Sequence, residues 1–304
     1  MTNCNRTSRI ARRRVLLASI VASVLGATPL LAQNAPDAAK SPAVTSERIV
    51  SLGGDATEIL YALGLQDRIV AVDTTSMYPP EALKDKPNVG YMRALSAEGV
   101  LSTAATTIVA SAQAGPPEVV AALKTANLRY LTLPGNESPH NVAEKVLTIG
   151  KAFGRDAQAK ELAARIEAGL NAVAERRKKI TTPVRAIFIL GVNSGRATVG
   201  GVGTTADSMM KLAGATNVAD FKDYKPLTSE ALLSLAPDAV ITMRRHGAAD
   251  NQSQLASLPG YKESPAGKNN RLIEMEAHYL LGFGPRTHEA ALELMGKLYP
   301  DLAK

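Results

Sequence analysis

Residues 139–180 carry a helical pattern almost without interruption, broken once at Gly154, and this stretch separates two halves of similar character. Its second part, 156–179, is rich in Ala, Leu, Glu, Lys and Arg and closes on Arg176-Arg177-Lys178-Lys179. Strong helix formers and a basic end suit one long helix, because cations at the C-terminus complement the helix dipole. Thr181-Thr182-Pro183 stops it. On both sides short β-branched runs alternate with helical ones. Before it, strands are expected at 48–52, 69–72, 106–110 and 128–133, with helices at 55–63, 96–102 and 116–126. Asp55 and Gly64 have the residue types of an N-cap and a C′ position. After it, strands are expected at 184–192, 196–199, 238–243 and 271–275, with helices at 204–213, 228–235 and near 286–298. Such alternation predicts an α/β protein whose parallel-rich sheets carry helices on both faces. The plan is two α/β lobes, at 47–138 and 183–304, joined by a helical segment at 139–182. No close sequence repeat links them. Two lobes on a stiff helix leave a cleft, a favoured place for a ligand.

The first residues bear on destination. Arg6, Arg9, Arg12, Arg13 and Arg14 precede an apolar stretch from Val15 to Leu31, and small residues follow at Ala32 and Ala35. A positive start, a short apolar run and a small-residue exit make a secretory signal peptide, expected over 1–32, with a loose tether at 33–46. Once it is removed, no membrane-spanning segment is expected. The chain carries a net +7, but with five arginines gone, 30 basic residues stand against 28 acidic ones. The remaining charge gives no support for nucleic-acid binding. The single cysteine, Cys4, precedes the apolar run, so a lipid anchor is not expected and the mature chain has no thiol. Disulfides, thiolate metal sites and cysteine nucleophiles are thereby excluded.

Other chemistries find little footing. Gly200-Gly201-Val202-Gly203 lies before a helix but lacks the Gly-Lys-Ser/Thr of a phosphate loop, and no Gly-x-Ser-x-Gly occurs. The run reads as a tight turn lining or hinging the cleft. His140, His278 and His288 show no metal-ligand spacing, which argues against a bare zinc or manganese site. The chain is not expected to be an enzyme.

Five segments carry a resemblance: RIVSLGGDATEILYALG at 48–64, NVGYMRALSAEGVL at 88–101, GGVGTTADSMMKLAGATNV at 200–218, KPLTSEALLSLAPDAV at 225–240 and LLGFGPR at 280–286. Together they resemble the haem-specific branch of the substrate-binding proteins of ABC importers, whose wider group also takes vitamin B12 and siderophores. The likeness runs from about residue 46 to the C-terminus. It implies the class III binding-protein fold, two Rossmann-like lobes bridged by a rigid helix. It also implies a monomer of the periplasm that delivers haem, as transported ligand and not as catalytic cofactor, to a permease dimer of the inner membrane. A siderophore or vitamin B12 binder of the same fold is the alternative.

The resemblance makes Tyr91 the axial ligand to haem iron. A phenolate is a hard anionic donor suited to ferric iron, and tyrosine ligation of haem is established chemistry. Free tyrosine ionises at about 10, so something must favour the anion, and Arg93, two residues on, offers a cation or donor for this. In an extended segment those two side chains share a side. On the opposite wall, 242–246 follows a strand at its carboxyl end, where open α/β sheets place ligands. There Arg245 matches an arginine of the family that holds the tyrosine or a haem carboxylate, and His246 stands beside it as a second candidate iron ligand. Arg196 and Arg286 are further candidates, since arginine grips a propionate with two parallel hydrogen bonds. Glu58 and Glu230, one per half, suit the positive end of a helix dipole. By resemblance they are also the two surface acids that dock on arginines of the permease.

Overall fold

The computed structural model describes residues 47–136, 138–244 and 251–302. The leader and tether expected at 1–32 and 33–46 lie outside them, as do Arg245 and His246.

The first half forms a four-stranded sheet from β1 (Ile49–Leu52), β2 (Ile69–Val72), β3 (Thr107–Ala110) and β4 (Arg129–Thr132), in the order β2-β1-β3-β4. All three pairings are parallel, with Ile49 opposite both Ile69 and Thr107. β1 and β3 are buried along their whole length, as befits central strands covered on both faces. The second half contributes β5 (Arg185–Asn193), β6 (Arg196–Gly200), β7 (Thr216–Asn217), β8 (Tyr224–Leu227), β9 (Ala239–Arg244) and β10 (Leu272–Glu276). Its sheet runs β10-β9-β5-β6-β8, with β7 pairing to the start of β5. β10, β9 and β5 are parallel, whereas β6 and β8 are antiparallel additions. The chain is an α/β protein with parallel-rich sheets.

Sequence reading found every strand except β7 and β8. β7 has two residues, and β8 reads Tyr-Lys-Pro-Leu. Proline and lysine are what an edge strand tolerates and a central strand does not, so β8 carries no apolar signature. The helix after β1 spans Gly54–Ala62, with Gly53 (φ 120°) in the cap position and no side-chain cap. Asp55 is therefore not the N-cap; its carboxylate turns inward to Lys145. Gly64 does end the turn in the left-handed region, at φ 68°.

Between the sheets lie helices Asn141–Phe153 and Asp156–Arg177. The second, 22 residues long, is about 33 Å from end to end. Ala159, Leu162, Ala163, Ile166, Leu170 and Val173 form its buried stripe at helical spacing. One apolar core runs from Ile49 beneath the first sheet through Val146 and Ile166 to Phe188 and Met295 in the second half. The bridging helix is thus embedded in packing that both halves share. Gly150 allows the two helices to touch, because a methyl at this position would stand 2.2 Å from the Ala159 Cβ.

Gly150→Ala should therefore lower the unfolding free energy by about 1–3 kcal/mol, the usual cost of overpacking, despite alanine's better helix propensity. Adding Ala159→Gly should recover most of the loss. Urea unfolding of the two variants checks both outcomes.

Candidate functional site

Because the strands of the first sheet all run the same way, the connections at Gly53, Asp73, Ser111 and Leu133 all leave from one edge. The Tyr91 segment lies along this edge. Gly90 takes φ 93°, and the Ala94 N–H donates to the Tyr91 carbonyl at 2.8 Å, closing a tight turn. The turn is held on both flanks. Thr74 N–H donates to the Gly90 carbonyl (2.9 Å), Met92 N–H to Asp73 Oδ2 (3.3 Å) and Gly115 N–H to the Met92 carbonyl (2.8 Å). Tyr91 is left 46% exposed, whereas Met92 is buried. Tyr91 and Arg93 do not lie in an extended segment, so the expected same-side pairing does not follow from spacing.

Arg93 lies instead close enough to Tyr224 of the second half for its charge to bear on that phenol. Burial raises the pKa of Tyr224, at the start of β8, and the hydroxyls of Thr205 and Thr204 and the charge of Arg93 pull it back. The Tyr224 ring stands edge-on to Phe188, with centroids 6.5 Å apart. Beside it, Thr204 caps helix Thr205–Leu212 by accepting the Asp207 N–H, and Val202 in the glycine-rich turn is exposed. Arg196 lies exposed at the tip of the β5–β6 hairpin, paired with Asn193. Because β5 is parallel to β9, this tip leaves the same edge of the second sheet as the segment following Arg244. Arg244 donates to Glu274 at 3.2 Å.

Two of the expected site residues, Glu58 and Arg286, are paired with each other. Glu58 is not a surface acid at a helix start; it lies in the middle of helix Gly54–Ala62 and is 5% exposed. Its carboxylate accepts Arg286 Nε and Nη2, each at 3.0 Å, and the Arg286 backbone N–H at 3.2 Å. Arg286 is accordingly committed to Glu58 and stacks on the Tyr78 ring at 3.5 Å. Burial disfavours its charge, but the hydrogen bonds and charge of Glu58 outweigh this and raise its pKa above the ordinary value. Beside this pair, Lys145 Nζ bonds Asp55 Oδ2 (2.7 Å), the Phe283 carbonyl (3.3 Å) and Asn136 Oδ1, fully buried. His278 wedges against Gly54, where a methyl would stand 2.3 Å from its Cε1. The two halves thus meet through buried charge close to the cleft floor.

A correspondence between the halves gives Glu230 an exposed counterpart in the first half. Residues 95–109 (LSAEGVLSTAATTIV) and 227–241 (LTSEALLSLAPDAVI) align without a gap. Ser96 and Thr228 cap their helices through Gly99 and Ala231 N–H, Ala104 and Ala236 both take positive φ, and β3 and β9 begin at the same offset. Glu98 is therefore the counterpart of Glu230, and both are exposed. The signal, Leu-Ser/Thr-x-Glu before a short helix, was present in the sequence. The Glu230 carboxylate is held below its usual pKa by its own backbone N–H and the Thr228 hydroxyl.

Among the described residues no group of three or more His, Cys, Asp or Glu is placed to hold a metal ion, and no helix is long and apolar enough to cross a membrane.

A family model described as periplasmic binding protein matches residues 49–279. The chain belongs to the periplasmic binding protein family. It is 30% identical, over 85% of its length and 82% of the relative's, to the uncharacterized ABC transporter substrate-binding lipoprotein YvrC of Bacillus subtilis. Among solved structures it is similar to the periplasmic heme-binding protein BhuT in complex with two hemes, at 36% identity and a TM-score of 0.78 over 84% of this chain and 99% of that one. A shorter match, 40% over 79 residues, links 26% of this chain to 28% of the vitamin B12-binding protein of Vibrio cholerae. The family consists of substrate-binding transport proteins, and its class III fold is the one described above.

Because Glu58 balances a half-buried arginine, Glu58→Ala should lower the unfolding free energy by about 3–5 kcal/mol, as expected when one partner of a buried pair is removed. Glu98→Ala and Glu230→Ala should lower the urea midpoint far less than Glu58→Ala, since each acid is exposed and adds only a helix-terminus contact. The three midpoints together decide whether Glu58 is structural and the other two acids are not.

Proposed function

We propose that this protein captures haem in the cleft between its halves, with Tyr91 as the axial ligand to the iron, and hands it to an ABC importer. The observation that carries this reading is the Gly90–Ala94 turn, whose backbone is held on both flanks while the phenol is left exposed. A site built to present one oxygen donor has this form. The likeness to BhuT, 36% identity over 84% of this chain, is higher than that to the vitamin B12-binding protein of Vibrio parahaemolyticus, 24% over 82%, which supports haem over cobalamin. Apolar surface of the cleft would bury the porphyrin, and Arg93, Arg196 and Arg245 are the arginines that would meet its propionates. Arg286 is already engaged by Glu58 and is the less available candidate.

Export by the leader at 1–32 would place the mature protein in the periplasm. Glu98 and Glu230 would then dock on paired basic pockets of the permease dimer, giving register and on-rate more than affinity.

Titrating the mature protein with hemin, cobalamin and a ferric siderophore, while following the visible spectrum, tests the ligand. Hemin alone should saturate the site and show a phenolate-to-iron charge-transfer band. Tyr91→Phe should lose that band and weaken hemin binding at least about tenfold, equivalent to ~1.4 kcal/mol. An unchanged band in Tyr91→Phe, or saturation by cobalamin in place of hemin, would defeat the reading. For docking, Glu98→Arg with Glu230→Arg should abolish stimulation of the reconstituted importer's ATPase while hemin affinity is retained.

A further inference from the structure

Asp73 follows β2 at the carboxyl edge of the first sheet and is fully buried. Among the described residues no Lys, Arg or His side chain pairs with it. A buried carboxylate without a cation is costly unless hydrogen bonds compensate it, and here every compensating donor is an N–H or a hydroxyl. Oδ1 accepts Gly53 N–H (2.8 Å) and Ser76 Oγ (3.1 Å); Oδ2 accepts Thr75 N–H (3.0 Å) and Met92 N–H (3.3 Å). The Thr75 hydroxyl lies 3.0 and 2.9 Å from the two oxygens. One side chain thus ties together the turn after β1, the exit of β2 and the turn that carries Tyr91. Met92 is buried, so its N–H needs an acceptor, and Asp73 Oδ2 supplies it.

We propose that Asp73 is a positioning residue for ligand capture: by accepting the Met92 N–H it sets the turn that presents Tyr91. The inference rests on the reading of Tyr91 as the iron ligand, and it assigns to a buried acid one strand away the orientation of that ligand. Groups that orient an iron-binding side chain typically change metal affinity by about 10- to 100-fold when removed. Asp73→Asn separates this role from mere support. An amide accepts hydrogen bonds at only one end. Its oxygen can keep Gly53, the shortest of the backbone contacts, and its NH2 then faces the Thr75 and Met92 N–H groups. The Thr75 hydroxyl can rotate to accept from the amide, whereas the Met92 N–H has no such recourse, so the Tyr91 turn is the part released.

The test uses the full mature chain with 3-fluorotyrosine at position 91, read by fluorine NMR without ligand and by visible spectroscopy with hemin. Wild type should give one narrow fluorine line. Asp73→Asn should give a broadened or multiple line, a shifted charge-transfer band and hemin dissociation faster by about 10- to 100-fold. Ser76→Ala, which removes another donor to the same carboxylate, should change none of the three. If Asp73→Asn fails to fold, an amide-to-ester replacement at Met92 deletes only the N–H in question and should reproduce the same changes. A wild-type fluorine line and wild-type dissociation in either variant would overturn the inference. Tyr91→Phe run in parallel keeps the two ideas apart. If it alone disturbs hemin, Asp73 has no positioning role; if it leaves hemin untouched, the ligand assignment fails while the fluorine result still reports on the turn.

Discussion

Lys145 and Asp55 form an ion pair with almost no access to water, and through the Phe283 carbonyl the same lysine ties both to the second half. Charges taken out of solvent must be paired and hydrogen-bonded, or the cost of burying them is not recovered. Lys145 meets this demand by reaching out of the helical segment to Asp55 in the first half and to the Phe283 carbonyl in the second. Glu58 and Arg286 make a second crossing from the same first helix to the same C-terminal loop. The Lys145 bond to Phe283 and the Glu58–Arg286 pair are made only when the halves sit in one register.

The shared core works in the same direction. The buried stripe of helix Asp156–Arg177 belongs to a cluster that includes residues beneath both sheets. Opening the cleft widely would separate surfaces packed at the density of a protein interior. A protein built this way takes its ligand into a cleft whose walls are already placed. That suits a capture site in which the Tyr91 turn is held by backbone bonds before any ligand arrives.

Much of the fold was legible along the chain. Central strands buried on both faces appear as unbroken β-branched runs, and the long helix shows its formers and its basic end. β8 was illegible because an edge strand of Tyr, Lys, Pro and Leu carries no apolar run. Glu98 was legible but missed, since its match to Glu230 is a correspondence of caps and turns and not of overall similarity. Glu58 was misread because almost every residue of its helix is buried, so no periodicity tells which side is wet. Asp55 has the chemistry of a helix cap, and only the presence of Lys145 draws it inward.

The sequence by itself determined the class of fold, the order of its elements and the segment that carries Tyr91. These are written in local periodicity and in motifs that need no partner to be read. Tertiary structure decided which charged side chains are free and which are consumed. The partner of Asp55 lies 90 positions away and that of Glu58 lies 228 away. Whether a carboxylate docks, ligates or simply balances a buried cation depends on what the fold brings beside it, and no window of neighbouring residues contains that information.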